Sequence, residues 1–209
     1  MLKADGWTLV YNEMMDVEEV VSDAQKLKQG LKELPEPVAN PVFVVVSGLP
    51  GTGKSRFSRK LVERLPSVIV ESDALRKRLF TSPTYSAQES HRLFNACHRL
   101  IEEVLSSGIS VILDATNLVE QHRERLYHIS QRLGVKLIIV QVEAPRELVL
   151  QRLQGRSRGV DPEDGSEAGW SVYQRMRTRV ERIRRNYFAV DTSRDITSVI
   201  DKVVREAKR

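Results

Sequence analysis

The stretch from Val42 to Ser55, VFVVVSGLPGTGKS, constrains the fold of this 209-residue chain more than any other feature. An apolar run of strand length leads into the pattern G-x-x-x-x-G-K-S, and an amphipathic helical pattern follows. Glycines at this spacing let several backbone N–H groups surround one anion, and the N-terminus of the next helix adds partial positive charge. The pattern therefore predicts a strand, a phosphate-binding loop and a helix, in that order.

The same loop predicts binding of ATP together with Mg²⁺. Lys54 can reach the β- and γ-phosphates of a nucleoside triphosphate, and the Ser55 hydroxyl can ligate the metal. A guanine-reading Asn-Lys-x-Asp pattern is absent from the sequence, which favours ATP over GTP. The residues expected to bind the nucleotide are Gly48, Pro50, Gly51, Thr52, Gly53, Lys54 and Ser55.

Strand-like and helix-like stretches alternate after Pro41, which predicts an α/β fold with a parallel sheet covered on both faces. Apolar runs predict strands at 42–47, 67–71, 109–114, 135–142 and 187–190. Helices are predicted at about 54–65, 74–80, 87–107, 119–133, 145–155, 169–185 and 195–207. Ser86 and Glu89 have the spacing of a capping box for one of these helices, and Asn117 and Glu120 have it for another.

Residues 1–40 are predicted to form a helical extension and a linker that precede the main domain, residues 41–209. Apolar residues at spacings of three and four predict a helix over 16–34. Three prolines then fall within the seven residues Pro35–Pro41 and break the pattern. The sequence leaves open whether the extension packs on the domain or meets a partner.

The composition argues against membrane insertion and against a disulfide-stabilised fold. No apolar run approaches the roughly 20 residues that a membrane helix needs. The acidic N-terminus does not resemble a signal peptide, so a cytoplasmic location is expected. The single cysteine, Cys97, has no partner for an internal disulfide, and the four histidines lack metal-ligand spacing.

Positive charge is concentrated in one segment near the C-terminus. The net charge is +5 and the isoelectric point is about 9.4. Residues 174–186 hold six arginines and one glutamate. This charge permits an anionic partner such as nucleic acid, but a solvated helix face would have the same composition. The sequence does not show whether these arginines face the nucleotide site.

Two acidic residues follow predicted strands and are candidates for the chemistry. Asp114 ends the apolar stretch ISVILD, where proteins with this loop place an acid that holds Mg²⁺ or its water. Asp73 follows the strand 67–71 and so lies at the sheet edge where ligands bind. A carboxylate there can accept the proton of an attacking hydroxyl, although Asp73 could also cap the helix 74–80.

Other polar residues near these acids are candidates for contacts with the acceptor of a phosphoryl group. Arg76 is one helical turn from Asp73 and could hold an anionic group of the acceptor. Asn117 either contacts the acceptor or caps the helix that follows it. Arg152 and Arg156 precede a polar, glycine-rich segment, and we expect a mobile lid at about 152–169 whose arginines close over the transferring phosphate.

These stretches, in this order, resemble the P-loop kinases of the zeta-toxin and polynucleotide 5′-hydroxyl kinase type over about residues 42–195. The resemblance is carried by GLPGTGKS, SDALRKRL, VILDATN and RLQGRSRG, and by DGSEAGWSVYQRM and VDTSRD, which are similar to kinase-like ATP-binding proteins of this group. It implies a P-loop NTPase fold with five parallel strands in the order 2-3-1-4-5 and a helical lid.

The resemblance also implies roles for individual residues. Lys54, Ser55 and the loop backbone bind ATP–Mg²⁺, and Asp73 activates the acceptor hydroxyl. Arg76 binds a phosphate of a polynucleotide acceptor. Arg152 is the lid arginine nearest adenine, and Arg156 is the one nearest the transferring phosphate.

The sequence is therefore compatible with three functions. The first is an ATP-dependent kinase that phosphorylates a hydroxyl, either a polynucleotide 5′-hydroxyl, which the basic cluster Arg76–Lys77–Arg78 favours, or a small molecule. The second is a nucleotide-switched binding module with slow ATPase activity, and the third is a structural nucleic-acid-binding protein. Asp73 favours the kinase, because a switch needs no acid on the acceptor side. The sequence does not indicate an oligomeric state.

Overall fold

The computed structural model describes residues 17–31, 34–157 and 169–209, and the side chains of 22–31, 34–155 and 169–209. Within these residues the chain forms eight helices and five strands. The strands are β1 (Val42–Ser47), β2 (Val68–Glu71), β3 (Val111–Asp114), β4 (Lys136–Glu143) and β5 (Phe188–Asp191). The helices are α1 (Val17–Gln29), α2 (Lys54–Val62), α3 (Ser72–Leu79), α4 (Ala87–Ser106), α5 (Glu120–Leu133), α6 (Arg146–Ser157), α7 (Trp170–Arg177) and α8 (Thr197–Ala207).

The five strands form one parallel sheet in the order β2-β3-β1-β4-β5, which confirms the predicted architecture. The register places Val46 of β1 and Glu71 of β2 beside Asp114 of β3. Because the carboxyl ends of parallel strands meet at one edge, this register brings the loops after β1, β2 and β3 together.

Apolar residues pack on both faces of the sheet, as the unbroken hydrophobic character of β1 requires. On one face, Phe43 and Val45 pack with Leu93, Leu100 and other residues of α4. On the opposite face, Val44 and Val46 pack with residues of α2 and α8, among them Phe57, Leu61 and Val203. The carboxyl edge between these layers is therefore supported from both sides.

The described part of the N-terminal extension packs on the domain. Leu27 of α1 is fully buried in the core that α4 lines. Asp23 of α1 accepts hydrogen bonds of 2.6 and 2.9 Å from the guanidinium of Arg92 in α4. Helix α1 therefore belongs to the layer that covers β2 and β3, and it ends at Gln29, before the predicted boundary at 34.

The predicted helix over 169–185 is wrong in its second half. Helix α7 ends at Arg177, and residues 178–187 run without regular structure to β5. The guanidinium of Arg123 donates hydrogen bonds to the carbonyl oxygens of Glu181 (2.9 Å) and Arg182 (3.1 Å), and Ile183 packs against Tyr127 and Ile139. These tertiary contacts use backbone carbonyls that a continuing helix would need for itself.

Helix capping at two sites also differs from the prediction. Helix α3 begins at Ser72, so Asp73 lies in its first turn and is not the N-cap. The N-cap of α5 is Val119, and the Asn117–Glu120 capping box is wrong. The free N–H of Glu120 instead donates a 2.8 Å hydrogen bond to the Glu181 carboxylate. Ser86 does cap α4, by accepting from the Glu89 N–H at 3.2 Å.

None of the helices in the described ranges combines the length and the apolar character that crossing a lipid bilayer requires.

Candidate functional site

The loop after β1, residues 48–55, curls tightly at the carboxyl edge, and we call it the P-loop. Gly48 has φ +155°, and a Cβ atom there would lie 2.3 Å from the carbonyl oxygen of Val142, so only glycine fits. Gly53 has φ +94° and immediately precedes α2. These two motif glycines therefore serve the close turn and the left-handed entry to the helix.

Lys54 and Thr52 hold the P-loop together across its turn. The Lys54 Nζ donates to the carbonyl oxygen of Leu49 at 3.1 Å, and the Thr52 hydroxyl donates to the same oxygen at 2.8 Å. The ammonium group therefore lies over the loop, next to the N-terminus of α2. A cation and a helix N-terminus in this arrangement suit an anionic ligand such as phosphate.

Asp114 lies next to Lys54 and Ser55 and is 3% exposed. Burial raises the pKa of its carboxyl group, while the Lys54 charge and a hydrogen bond from the Ser55 hydroxyl act in the opposite direction. Its Oδ2 atom is buried and has no hydrogen-bond partner among the described residues. A buried carboxylate oxygen beside a serine hydroxyl and the P-loop has the hard-oxygen character that Mg²⁺ prefers, so Asp114 and Ser55 fit a Mg²⁺ ion bound together with phosphate.

Asp73 lies near Asp114, at the end of the neighbouring strand β2. It is half-buried in the first turn of α3, two residues beyond Glu71, which pairs in register with Asp114. The Asp73 charge raises the pKa of Asp114, so the two carboxylates are close enough to interact. The structure therefore brings Asp73, Asp114, Ser55 and Lys54 together at one edge of the sheet.

Arg76, which the sequence predicts to bind the acceptor, is buried and bonded to other residues of the protein. Its guanidinium forms an ion pair with Glu89 and a 3.2 Å hydrogen bond with the Ser90 hydroxyl. The ring of Tyr85 lies 4.7 Å from the guanidinium carbon. An acceptor phosphate could reach Arg76 only after this ion pair opens.

Glu89 organises the loop between α3 and α4, a role that its position in a capping box does not reveal. Its carboxylate accepts from the Thr84 N–H (2.6 Å), the Thr84 hydroxyl (2.8 Å) and the Tyr85 N–H (3.2 Å). Burial alone would raise the pKa of Glu89, but these bonds and Arg76 lower it to about 2. Tyr85 has φ +56°, an unusual conformation for an aromatic residue, and the bonds to Glu89 hold it there.

The cluster Arg76–Lys77–Arg78 does not present its charges together. Arg76 is buried in the ion pair with Glu89. The guanidinium of Arg78 lies against Gly30, so close that a Cβ there would overlap its Nη1 atom. The local basic cluster that the sequence places beside Asp73 is therefore divided between two sides of α3.

Asn117 is a structural residue in this arrangement. Its side-chain amide donates a 2.9 Å hydrogen bond to the carbonyl oxygen of Val46, and its φ is +45°. Its carbonyl oxygen accepts from the Ser47 hydroxyl (3.1 Å) and from Arg123 (2.6 Å). These buried contacts join the loop after β3 to β1, and they leave little of Asn117 for an acceptor.

Arg152 bridges the P-loop and the loop after β5. Its guanidinium donates to the Thr192 hydroxyl (2.9 Å), the Thr192 carbonyl (3.1 Å) and the Gly51 carbonyl (3.3 Å). Thr192 is buried and donates a 2.6 Å hydrogen bond to the Thr52 carbonyl. Arg152 is among the residues predicted from the sequence, whereas Thr192 is not, although the stretch VDTSRD contains it.

The rest of the predicted lid lies outside the described residues. The side chain of Arg156 and residues 158–168 belong to this part, so the position of Arg156 stays a prediction. Helix α7 beyond it packs on α6, with Tyr173 in one apolar cluster with Val149 and Leu153. Val149 and Leu153 also contact Gly51, so α6 supports the P-loop directly.

A cavity of about 210 Å³ lies beside the P-loop at the carboxyl edge. Gly48 and Leu49 line it from the loop, Glu143 from β4 and Tyr173 from α7. A larger cavity of about 710 Å³ lies at the opposite edge, where the C-terminal residues meet the ends of α4 and α5. Asp73 and Asp114 line neither of these two cavities, and only the P-loop residues connect the smaller one to the candidate site.

Comparisons with known proteins agree with this geometry. The AAA domain family matches residues 43–183, which include the P-loop, both acids and Arg152. A UPF0200 protein of Aeropyrum pernix is 31% identical over 146 residues, which are 65% of this chain and 72% of the relative. The L-seryl-tRNA(Sec) kinase of Methanococcus maripaludis is 28% identical over 116 residues, or 53% of this chain. The matched region spans only 44% of that kinase.

Solved structures show the same fold. The APS kinase CysC of Mycobacterium tuberculosis, solved in complex with AMPPNP and APS, superimposes with a TM-score of 0.58 at 17% sequence identity. The match covers 83% of this chain and all of that one. The narrower resemblance to zeta-toxin and polynucleotide kinases stays a prediction. The family match, the sheet order and the P-loop geometry together show that this chain belongs to the AAA domain family and has a P-loop kinase fold.

Proposed function

We propose that this protein is an ATP-dependent kinase that transfers the γ-phosphate of ATP to an acceptor hydroxyl. The observation that carries the proposal is the position of Asp73, close to Asp114 and on the acceptor side of the P-loop. A protein that only binds or hydrolyses ATP needs no second carboxylate there. The kinases among the relatives and the fold neighbours support the same class of reaction.

The reaction follows from the residues at this edge. The acceptor oxygen attacks the γ-phosphorus of ATP, a new P–O bond forms, and the bond between that phosphorus and the β–γ bridging oxygen breaks. Asp73 accepts the proton of the attacking hydroxyl, and ADP leaves with the electron pair of the broken bond. The products are a phosphate monoester, ADP and one proton.

The other residues position ATP and stabilise its charge. Lys54 and the N–H groups of the P-loop bind the β- and γ-phosphates. Ser55 and Asp114 would hold Mg²⁺, which would supply further positive charge to these phosphates. Arg152 lies between the P-loop and Thr192, beside the position expected for the adenosine end of the nucleotide. Arg156 of the lid is proposed to contact the transferring phosphate.

The class of acceptor stays open between a polynucleotide and a small molecule. One relative is a tRNA kinase by name, which supports a hydroxyl carried by RNA. The APS kinase shares the fold and supports a small acceptor equally well. The ion pair of Arg76 with Glu89 weakens the argument that Arg76 binds an acceptor phosphate.

The proposal is tested by a screen with γ-labelled ATP. Nucleic-acid ends, nucleosides, sugars and antibiotics serve as acceptors, and Lys54→Ala serves as the negative control. We expect label on one hydroxyl-bearing class with the parent protein and none with Lys54→Ala. Equal turnover by Lys54→Ala would show that the P-loop assignment is wrong. Label appearing only as inorganic phosphate would indicate an ATPase.

A further inference from the structure

The segment from Arg175 to Arg185, which we call the arginine strap, presents most of its charge to solvent. It holds six arginines, no lysine and a single acid. All six arginines are exposed, and within the described part of the chain no ion pair is found for Arg179, Arg182 or Arg184. Guanidinium groups suit bidentate contacts with phosphate better than ammonium groups do.

The only acid of the arginine strap is exposed but hydrogen-bonded to the protein. The Glu181 carboxylate accepts a 2.8 Å hydrogen bond from the Glu120 N–H at the beginning of α5. Its negative charge therefore serves the helix terminus and is partly withdrawn from the exposed arginines. A face that serves only solubility would gain from alternating charges, whereas this face exposes six arginines and one acid that already has a protein partner.

Buried contacts hold the arginine strap in place. Arg123, 1% exposed, binds the carbonyl oxygens of Glu181 and Arg182, and Ile183 packs beneath the backbone. The Glu181 N–H donates to the Leu118 carbonyl at 2.9 Å. Because these contacts fix the backbone, the neighbouring arginines are spaced before any ligand arrives, which lowers the ordering cost of binding.

The arginine strap borders the cavity beside the P-loop. Val180, Glu181 and Ile183 line this cavity together with Gly48 and Leu49. Its volume of about 210 Å³ is below the roughly 300–1,000 Å³ of sites that enclose whole ligands. A polymer lying along the arginines could therefore place only a terminal group in the cavity. Tyr187, which is 44% exposed just after the strap, offers a ring for base stacking.

We propose that the arginine strap binds the phosphate backbone of RNA and directs an end of that chain toward the P-loop. This inference deepens the proposed function, because it names RNA as the acceptor class. It rests on the proposed function, since the bound RNA end is an acceptor only if the protein is a kinase. It also replaces the basic cluster 76–78 as the source of polyanion affinity, because that cluster is divided between two sides of α3.

The test is a binding titration of a short fluorescent single-stranded RNA, followed by anisotropy, at about 50 and about 200 mM salt. The variant combines Arg179→Gln, Arg182→Gln and Arg184→Gln. We expect it to bind RNA about tenfold more weakly at the lower salt. The slope of log affinity against log salt should fall by about 2, since each neutralised phosphate of a single strand contributes about 0.7.

A matched control removes the same charge from the opposite face of the sheet. It combines Lys202→Gln, Arg205→Gln and Lys208→Gln, all exposed residues at the C-terminal end of the chain. This control should retain the parental affinity and salt slope. ATP binding should be unchanged in both variants, which separates this inference from the proposed kinase activity.

Three outcomes would overturn the inference. The first is no RNA binding by the parent protein at the lower salt, and the second is an equal loss of affinity in both triple variants. Binding to vesicles with anionic lipids but not to RNA would assign the surface to a membrane instead. If RNA binds through the strap but no acceptor is phosphorylated, RNA binding by the strap stands, while the kinase function and RNA as its acceptor both fail. If a small molecule is phosphorylated and RNA is not bound, the kinase function stands and RNA binding by the strap fails.

Discussion

The side-chain hydroxyl of Thr192 donates a 2.6 Å hydrogen bond to the carbonyl oxygen of Thr52, which joins the loop after β5 to the P-loop. The same hydroxyl accepts from Arg152 at 2.9 Å, so one buried group connects the P-loop, helix α6 and the loop after the last strand. A methyl group in its place would leave the Thr52 carbonyl without this partner. The shape of the nucleotide site therefore depends on a residue outside the phosphate-binding motif.

We predict that Thr192→Val weakens ATP binding about tenfold. Loss of one buried hydroxyl leaves two polar partners unsatisfied, which typically costs about 1–3 kcal/mol. The measurement is ATP affinity by calorimetry. Thr192→Ser keeps the hydroxyl and should stay close to the parent. An unchanged affinity in Thr192→Val would show that Thr192 does not shape the site.

Asp114→Asn should raise the Mg²⁺ concentration needed for tight ATP binding by about 10–100-fold, while binding of metal-free ATP changes little. The carboxylate charge is lost, but the size and burial of the side chain are retained. Calorimetry at several Mg²⁺ concentrations measures this effect. Asp195→Asn, whose carboxylate accepts from the N–H and hydroxyl of Thr197 at the beginning of α8, is the control. Equal Mg²⁺ dependence in both variants would remove Asp114 from the metal site.

Glu89→Gln should destabilise the protein at neutral pH by about 2–3 kcal/mol, because Arg76 would lose its buried partner. The pKa of Glu89 is lowered from 4.5 to about 2 in the folded state. Its ionised form therefore contributes stability above pH 4.5, and this contribution disappears as the pH falls from 4.5 toward 2. Urea unfolding across this range should show the parent approaching the variant.

The exposed acid Glu124 provides a control for that experiment. Glu124→Gln should unfold like the parent at every pH. If Glu89→Gln were as stable as the parent at neutral pH, the network around Arg76 and Tyr85 would have no energetic role.

Cys97 should resist alkylation in the folded protein. It is fully buried, and burial raises the pKa of its thiol to about 12, so little thiolate exists at mildly alkaline pH. We expect slow reaction with maleimide in the native state and rapid reaction in urea. Rapid native labelling would show that the α4 core opens readily.

Local patterns were sufficient to predict the sheet and the P-loop. Each strand lies within two residues of its predicted range, because buried parallel strands are continuous apolar runs between turn signals. The motif likewise predicts where Lys54 and Ser55 lie, because both residues follow the loop directly and begin the next helix. Asp73 and Asp114 come together because parallel strands end at one edge.

Contacts between distant residues were not predictable from local patterns. The arginine-rich segment looks helical by composition, but Arg123, more than 50 residues earlier, binds its carbonyls and holds it extended. Arg76 lies one helical turn from Asp73, as an acceptor ligand would, yet its guanidinium is paired with Glu89 on the next helix. The burial of Arg123 had one indication in the sequence, because Arg123 shares a helix face with the apolar residues Leu126 and Tyr127.

The central claim is that Asp73 accepts the proton of the acceptor hydroxyl during transfer from ATP. The most direct measurement is the single-turnover rate of γ-phosphate transfer by Asp73→Asn on the acceptor found in the screen, with ATP affinity measured in parallel. We expect a rate about 10²–10⁴-fold below that of the parent and an unchanged ATP affinity. A parental transfer rate in Asp73→Asn, with the variant fully folded, would contradict it.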